Sequence, residues 1–213
     1  FVEASNKLAE ALKRQKLLNE KQAELATTAQ SQNQASQKCP ADLSLRQLAA
    51  NAHNNLGMLL LRRNRFEEAI APFQASIQIR PDFWPGHYNL GLSFDNIGKS
   101  DEAIEQYRQT INLNSNYAPA RYSLANALNN TGVPLLNVSD KLATAEALFR
   151  EACQISPTYW QAQYNLGLVL NRTNRLEEAL KAYSAALRLN PNCESAKKLL
   201  ADATQELKAQ SSK

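Results

Sequence analysis

No stretch of about 18 uninterrupted apolar residues occurs in the chain, so no segment reads as a membrane-spanning helix. The N-terminus is charged and lacks an apolar core followed by small residues, so no signal peptide is read there. Because the chain opens on Phe1 rather than Met, it reads as a fragment of a longer protein. Its compartment is left open, with the cytoplasm favoured. Cysteine is scarce: Cys39, Cys153 and Cys193 are an odd number at wide spacings, forming neither a disulfide framework nor a CxxC metal pattern. Cys153 falls on an apolar helix face and reads as a buried free thiol. Glycine-rich phosphate loops, Walker sequences, HExxH pairs and GxSxG elbows are all missing. Neither an enzyme nor a metal or cofactor protein is therefore expected. The formal charge is +4, but the basic residues are scattered rather than gathered in a patch. The densest group, Lys13, Arg14, Lys16 and Lys21, is interleaved with Glu10, Glu20 and Glu24. That pattern solvates a surface and argues against a nucleic-acid site.

With only six Gly and eight Pro in 213 residues, and with Ala, Leu, Asn and Gln abundant, the composition favours helix over sheet. Four segments repeat. They begin HNNLGMLLL at His53, HYNLGLSFD at His87, RYSLANALN at Arg121 and QYNLGLVLN at Gln163. Gly57 to Gly91 is 34 residues, Gly91 to Ala125 is again 34, and Ala125 to Gly167 is 34 plus an insertion of eight. Each unit holds two apolar stretches at i, i+3, i+4, i+7 spacing around a polar break such as Arg63-Asn64-Arg65, the mark of two amphipathic helices joined by a tight turn. A small residue in the first helix (Gly57, Gly91, Ala125, Gly167) and another in the second (Ala69, Ala103, Ala145, Ala179) allow close approach. An aromatic (Phe73, Tyr107, Phe149, Tyr183) fills the space beside them, and Pro81, Pro157 and Pro191 end the second helices. The pairs Glu67-Glu68, Asp101-Glu102 and Glu177-Glu178 recur where each second helix opens, so they read as helix-dipole partners rather than catalytic carboxylates.

These residues resemble the tetratricopeptide signature, over about residues 50–193. His53 and His87 stand where that family often has Trp, at equivalent repeat places, and read as structural. The resemblance implies an all-α, right-handed superhelical solenoid of antiparallel helix pairs. Four repeats are expected at about 50–83, 84–117, 118–159 with the insertion, and 160–193, all within 41–193. Residues 1–40 are expected to form an N-terminal helix and polar linker, and 194–213 a capping helix and tail.

In the family, residues around the Leu-Gly pair face a concave groove. The resemblance carries this onto Asn54, Tyr88, Tyr122 and Tyr164, then Asn55, Asn89 and Asn165. Beyond them lie Met58, Leu92, Asn126 and Val169, with Arg62 and Arg172 near the rim. Asn side chains both donate and accept, so a ladder of them can grip an extended peptide backbone. Tyr adds amphipathic contact area at low entropy cost. The ladder resembles that of O-GlcNAc-transferase repeats, though Ser123 breaks it in the third unit. Chaperone-binding members carry Lys and Arg at places held here by Asn54, Tyr88, Pro119, Ser123 and Gln161, so their carboxylate clamp is missing. The expected function is a protein–protein interaction scaffold. The alternatives are the substrate-recruiting arm of a larger enzyme and a membrane-tethered assembly factor.

Two flanking features are less regular. Phe1, Ala4, Leu8, Ala11, Leu18 and Leu25 form a seven-residue stripe that Gln15 and Gln22 interrupt. This helix is expected to pack back on the repeats, to pair with a partner (self-association included), or to lead from an anchor. Residues 28–40 read as a linker or fraying helix, and Asp42 as the N-cap of the next helix. Val133 to Asp140 carries four aliphatic residues between the helices of the third repeat. It is expected to make a contact, against its own helices by preference or else with a partner, with Ser139 or Asp140 capping the second helix of that repeat.

Overall fold

The computed structural model describes residues 2–38 and 42–211, with side chains from Glu10 to Gln210 outside the 39–41 gap. Phe1, the side chains of Ala4 and Leu8, and Cys39 lie outside the described residues. Every described element is helical, and within each of two compact units consecutive helices pack antiparallel. The chain divides into two compact units, Phe1–Ser115 and Asn116–Lys213.

The first unit holds α1 (Val2–Lys38), α2 (Leu43–Arg62), α3 (Phe66–Ile79), α4 (Trp84–Asn96) and α5 (Ser100–Leu113). Asp42 caps α2 as expected, its carboxylate accepting from the Ser44 and Leu45 amides at 2.8 and 3.2 Å. The α2/α3 turn is closed by Asn64 at φ 56°, and the α4/α5 turn by Gly98 at φ 76°, residues that tolerate the left-handed region. Leu60, Ala69, Phe73 and Leu90 are buried together, with Leu56, Ile70, Ile77 and Phe94 packed around them. α5 ends at Leu113 although Ser115 replaces the proline, because Asn114 turns extended just as Arg80 does after α3.

α1 departs from expectation. The polar stretch expected to be a linker or fraying helix is helical through Lys38. It packs along α2 with Ala29 and Ser36 buried. Small residues seven apart let the backbones approach without a hydrophobic stripe. Gln22, expected to interrupt the stripe, anchors the contact, accepting from Arg63 Nη1 at 2.6 Å and from Arg65 Nη1 at 2.8 Å.

The second unit holds α6 (Ala118–Gly132), α7 (Leu142–Ile155), α8 (Trp160–Arg172), α9 (Leu176–Leu189) and α10 (Glu194–Ser211). α10 packs on α9 through Ala196 and Ala203. The insertion forms two 3₁₀ turns, Val133–Asn137 and Ser139–Lys141. Leu136 is buried in the core with Phe149, Leu166, Val169 and Tyr183, and Leu135 packs against it, so these aliphatics do tuck inward. Val133 and Val138 remain exposed. Neither Ser139 nor Asp140 caps α7: both lie in the second 3₁₀ turn, and Lys141 at the cap position makes no side-chain bond.

The insertion also moves a key contact. Counting residues puts Ala125 at the glycine place of the third repeat, but Gly132 faces the aromatic there. A Cβ on Gly132 would lie 2.7 Å from the Phe149 ring, as one on Gly57 would lie 2.6 Å from Phe73 and one on Gly91 2.7 Å from Tyr107. The seven residues from Ala125 to Gly132 are about two helical turns. The same face of α6 is therefore presented further along. Phe149 is fully buried and has no room to retreat. Gly132→Ala should destabilise the chain by about 1–3 kcal/mol in urea denaturation. A gain of about 1 kcal/mol, the helix propensity of Ala over Gly, would show that the ring rests elsewhere.

Candidate partner-binding faces

The first helix of each pair carries the residues expected to face a partner. In unit 1 these lie on α2 and α4. Asn54 is buried and accepts at Oδ1 from Asn89 Nδ2 at 2.9 Å, a tie between the two helices. Its own amide nitrogen points to Met58 Sδ at 3.5 Å. Asn55 and Arg62 are exposed, while Met58, Tyr88, Asn89 and Leu92 are half-buried. The Tyr88 ring lies tilted on Tyr107 at 5.9 Å.

In unit 2 the same faces lie on α6 and α8. Asn165 is buried and donates from Nδ2 to Asn129 Oδ1 at 2.7 Å. This repeats the Asn89–Asn54 tie: Asn129 stands three residues before Gly132, as Asn54 stands three before Gly57. Periodicity misses Asn129 because Tyr122, at the position the period indicates three residues before Ala125, is not an amide. The displaced glycine is the signal that could have found it. Tyr122 is 54% exposed and meets Tyr159 edge-on at 5.3 Å. Asn126 is half-buried and accepts from the Tyr159 hydroxyl at 2.8 Å. Tyr159, which the repeat pattern does not single out, is buried. Tyr164 is half-buried against Tyr183 at 6.2 Å.

Two expected groove residues serve the interior instead. Val169 is fully buried in the unit 2 core: it stands two residues after Gly167, whereas Met58, Leu92 and Asn126 each stand one after Gly57, Gly91 and Ala125, a place that Leu168 holds in α8. Arg172 donates from Nη1 to the carbonyl of Leu136, and so holds the insertion down.

Burial, reinforced by Tyr122, pushes the Tyr159 phenol up to about 12, and burial with Tyr164 does the same for Tyr183. Burial lifts the Cys153 thiol to about 11, which leaves it a poor nucleophile. Burial lowers His53, while His87 sits with Nε2 2.9 Å from the Pro81 carbonyl and Nδ1 2.9 Å from Gln106 Oε1. Among the described residues no three His, Cys, Asp or Glu side chains gather as metal ligands, and no helix is long and apolar enough to cross a membrane.

Comparison with known proteins agrees with this construction. Tetratricopeptide repeat models match residues 50–83, 160–193 and 88–159, more than half of the chain. The chain belongs to the tetratricopeptide repeat family. No curated protein matches it. Among solved structures it is similar to YrrB, described as a TPR protein with an unusual peptide-binding site, at 17% identity over 84% of this chain and 85% of that one, with a TM-score of 0.54. It is also similar to MamA, at 23% identity over 70% and 83% of the two chains and a TM-score of 0.51. MamA 41-end from Desulfovibrio magneticus RS-1 matches at 18% identity over 76% and 96%, with a TM-score of 0.51. These likenesses show the repeat fold.

The tyrosines give this region a pH signature. Unfolded phenols ionise near 10, whereas Tyr159 and Tyr183 stay protonated to about 12 in the folded chain. Their contribution to stability is whole below pH 10 and is lost as pH rises toward 12. Tyr159→Phe should cost about 0.5–1.5 kcal/mol at pH 7 through the lost Asn126 bond. Thermal melting should also decline less steeply for the variant than for the parent above pH 10. Parallel pH profiles would show that Tyr159 is not protonated preferentially in the fold.

Proposed function

We propose that this chain is a protein-interaction scaffold whose first-helix faces each hold an extended stretch of a partner protein. The observation that carries this reading is the state of Asn89. One of its amide hydrogens is committed to buried Asn54, which fixes the side chain in place. Its Oδ1 accepts from no described residue, and the side chain is half-open to solvent. An acceptor held in one orientation can take a hydrogen bond from a peptide N–H with little further loss of entropy. Around it on unit 1, Asn55, Tyr88 and Arg62 supply further polar and aromatic contact. Unit 2 offers exposed Tyr122, braced edge-on by Tyr159, as an amphipathic anchor.

A ladder of this kind, resembling the one in O-GlcNAc-transferase repeats, would recognise backbone more than side-chain identity. YrrB is described as having a peptide-binding site, and the same ligand class suits the residues here. The experiment is to pan a displayed peptide library against the chain and measure the selected peptides by fluorescence polarisation. Asn89→Ala and Tyr122→Ala, with helicity confirmed by circular dichroism, should each weaken peptides of their own unit about tenfold, or about 1.4 kcal/mol. Selected peptides that bind both folded variants with the parental affinity would refute the reading.

A further inference from the structure

Unit 2 closes the furrow between its second helices with an ion-pair ring. Above Leu166 and Leu170 of α8, Arg150 donates to Glu146 at 2.8 Å and to Glu178 at 2.9 Å. Arg175 donates to Glu146 at 2.7 Å and to Glu178 at 2.8 Å. Seventy-six residues earlier, the repeat places the same furrow on α3, α4 and α5 of unit 1. There Gln74 stands for Arg150, Ile70 for Glu146 and Lys99 for Arg175, while Glu102 keeps the place of Glu178 and Glu105 replaces Lys181.

The ring is therefore absent from unit 1, and the furrow is open. Its volume is about 480 Å³, against about 210 Å³ for its counterpart. The floor is apolar, made of Ile77, Leu90 and Phe94, and the rim carries Asp101, Glu102 and Glu105. Glu102 is met by Lys99 at 3.9 Å, Glu105 accepts from Gln109 at 2.8 Å, and Asp101 has no ion pair among the described residues. Three carboxylates thus face one lysine above an apolar floor on which Ile77 and Phe94 are half-buried.

A complementary face lies on α1. Before Gln22, residues 10–21 are all exposed, and Leu17 is 66% exposed. Arg14 precedes Leu17 by three residues and Lys21 follows it by four, so all three share one face of the helix. The only ion pair of Arg14 among the described residues is an exposed one to Glu10 at 3.1 Å, the kind worth little and easily exchanged. Within one chain the two features do not meet, since residues 10–21 are open and α1 is one unbroken helix pinned to α2 through Gln22.

We propose that the exposed part of α1 from a second copy of this chain docks in this cleft. Leu17 lies on Ile77, Leu90 and Phe94, and Arg14 and Lys21 supply the cations that Arg150 and Arg175 supply in unit 2. Each copy offers one helix and one cleft, so reciprocal docking closes a two-fold dimer. Charge reversal tests this directly by sedimentation velocity on the full chain across a concentration series. The parent should dimerise, and added salt should weaken the dimer. Glu102→Lys with Glu105→Lys should weaken it at least tenfold, as should Arg14→Glu with Lys21→Glu. The two α1 positions are exposed, so their reversal leaves the fold untouched, which circular dichroism verifies. Mixing the two reversed proteins should restore a dimer, because each altered helix then meets an altered cleft. A parent that stays monomeric throughout, reversed proteins that dimerise like the parent, or a mixture that fails to associate would each overturn the proposal.

Discussion

Each helix pair in this chain closes on the same contact, an aromatic ring of the second helix laid against a glycine of the first. Phe73 meets Gly57, Tyr107 meets Gly91, Phe149 meets Gly132 and Tyr183 meets Gly167. All four rings are fully buried, as are the small residues Ala69, Ala103, Ala145 and Ala179 four places before them. The absence of a side chain at the glycine sets how close the helices come, and that separation sets what else can form. It allows the one-residue left-handed turns at Asn64, Gly98 and Asn174. It also fixes the depth at which the buried amides sit. Asn54 and Asn129 lie three residues before their glycines, one turn away on nearly the same face, and each receives an amide from the next first helix.

That dependence explains where the sequence was legible and where it was not. The 34-residue period, the aromatic and the paired small residues located four helix pairs, because burial of an amphipathic face recurs with the chain count. The third pair escaped because packing follows helical turns rather than residue number. An insertion of about two turns leaves the face unchanged but carries the contact from Ala125 to Gly132. The amide partner moves with it, from the place of Tyr122 to Asn129. The face of an amide is readable from periodicity. Whether that amide is committed inside the fold is not, since the answer lies on a neighbouring helix. Asn54 and Asn165 proved to be ties, and Arg172 a clamp on Leu136.

α1 was opaque for a different reason. Its contact face is built from Gln22, Leu25, Ala29 and Ser36, so apolarity gives almost no signal. The more conspicuous apolar residues, Leu12, Leu17 and Leu18, are exposed. Comparison between units makes sense of the arrangement. Arg65 opens α3 as Arg175 opens α9. Arg65 donates from Nη1 to Gln22 at 2.8 Å, and Arg175 from Nη1 to Glu146 at 2.7 Å. Three residues after Glu146 comes Phe149, and three after Gln22 comes Leu25. α1 thus occupies, against the first repeat, the position that the second helix of a preceding repeat occupies against the next.

The substitution has a geometric remainder. The second helices of the repeats are 14 residues long, whereas α1 has 37. Aligning Gln22 with Glu146 assigns the stretch from about residue 18 onward to packing, and residues 10–17 before it are covered by no described residue. A stacked array buries each second helix between neighbours. A helix segment left exposed in this way must be solvated or find another surface. Glu10, Lys13, Arg14, Lys16, Glu20 and Lys21 make the overhang soluble, but they also surround Leu12 and Leu17. A polar helix in place of a second repeat helix thereby leaves a basic, leucine-bearing segment in a unit whose own furrow carries Gln74 and Lys99 where unit 2 has Arg150 and Arg175.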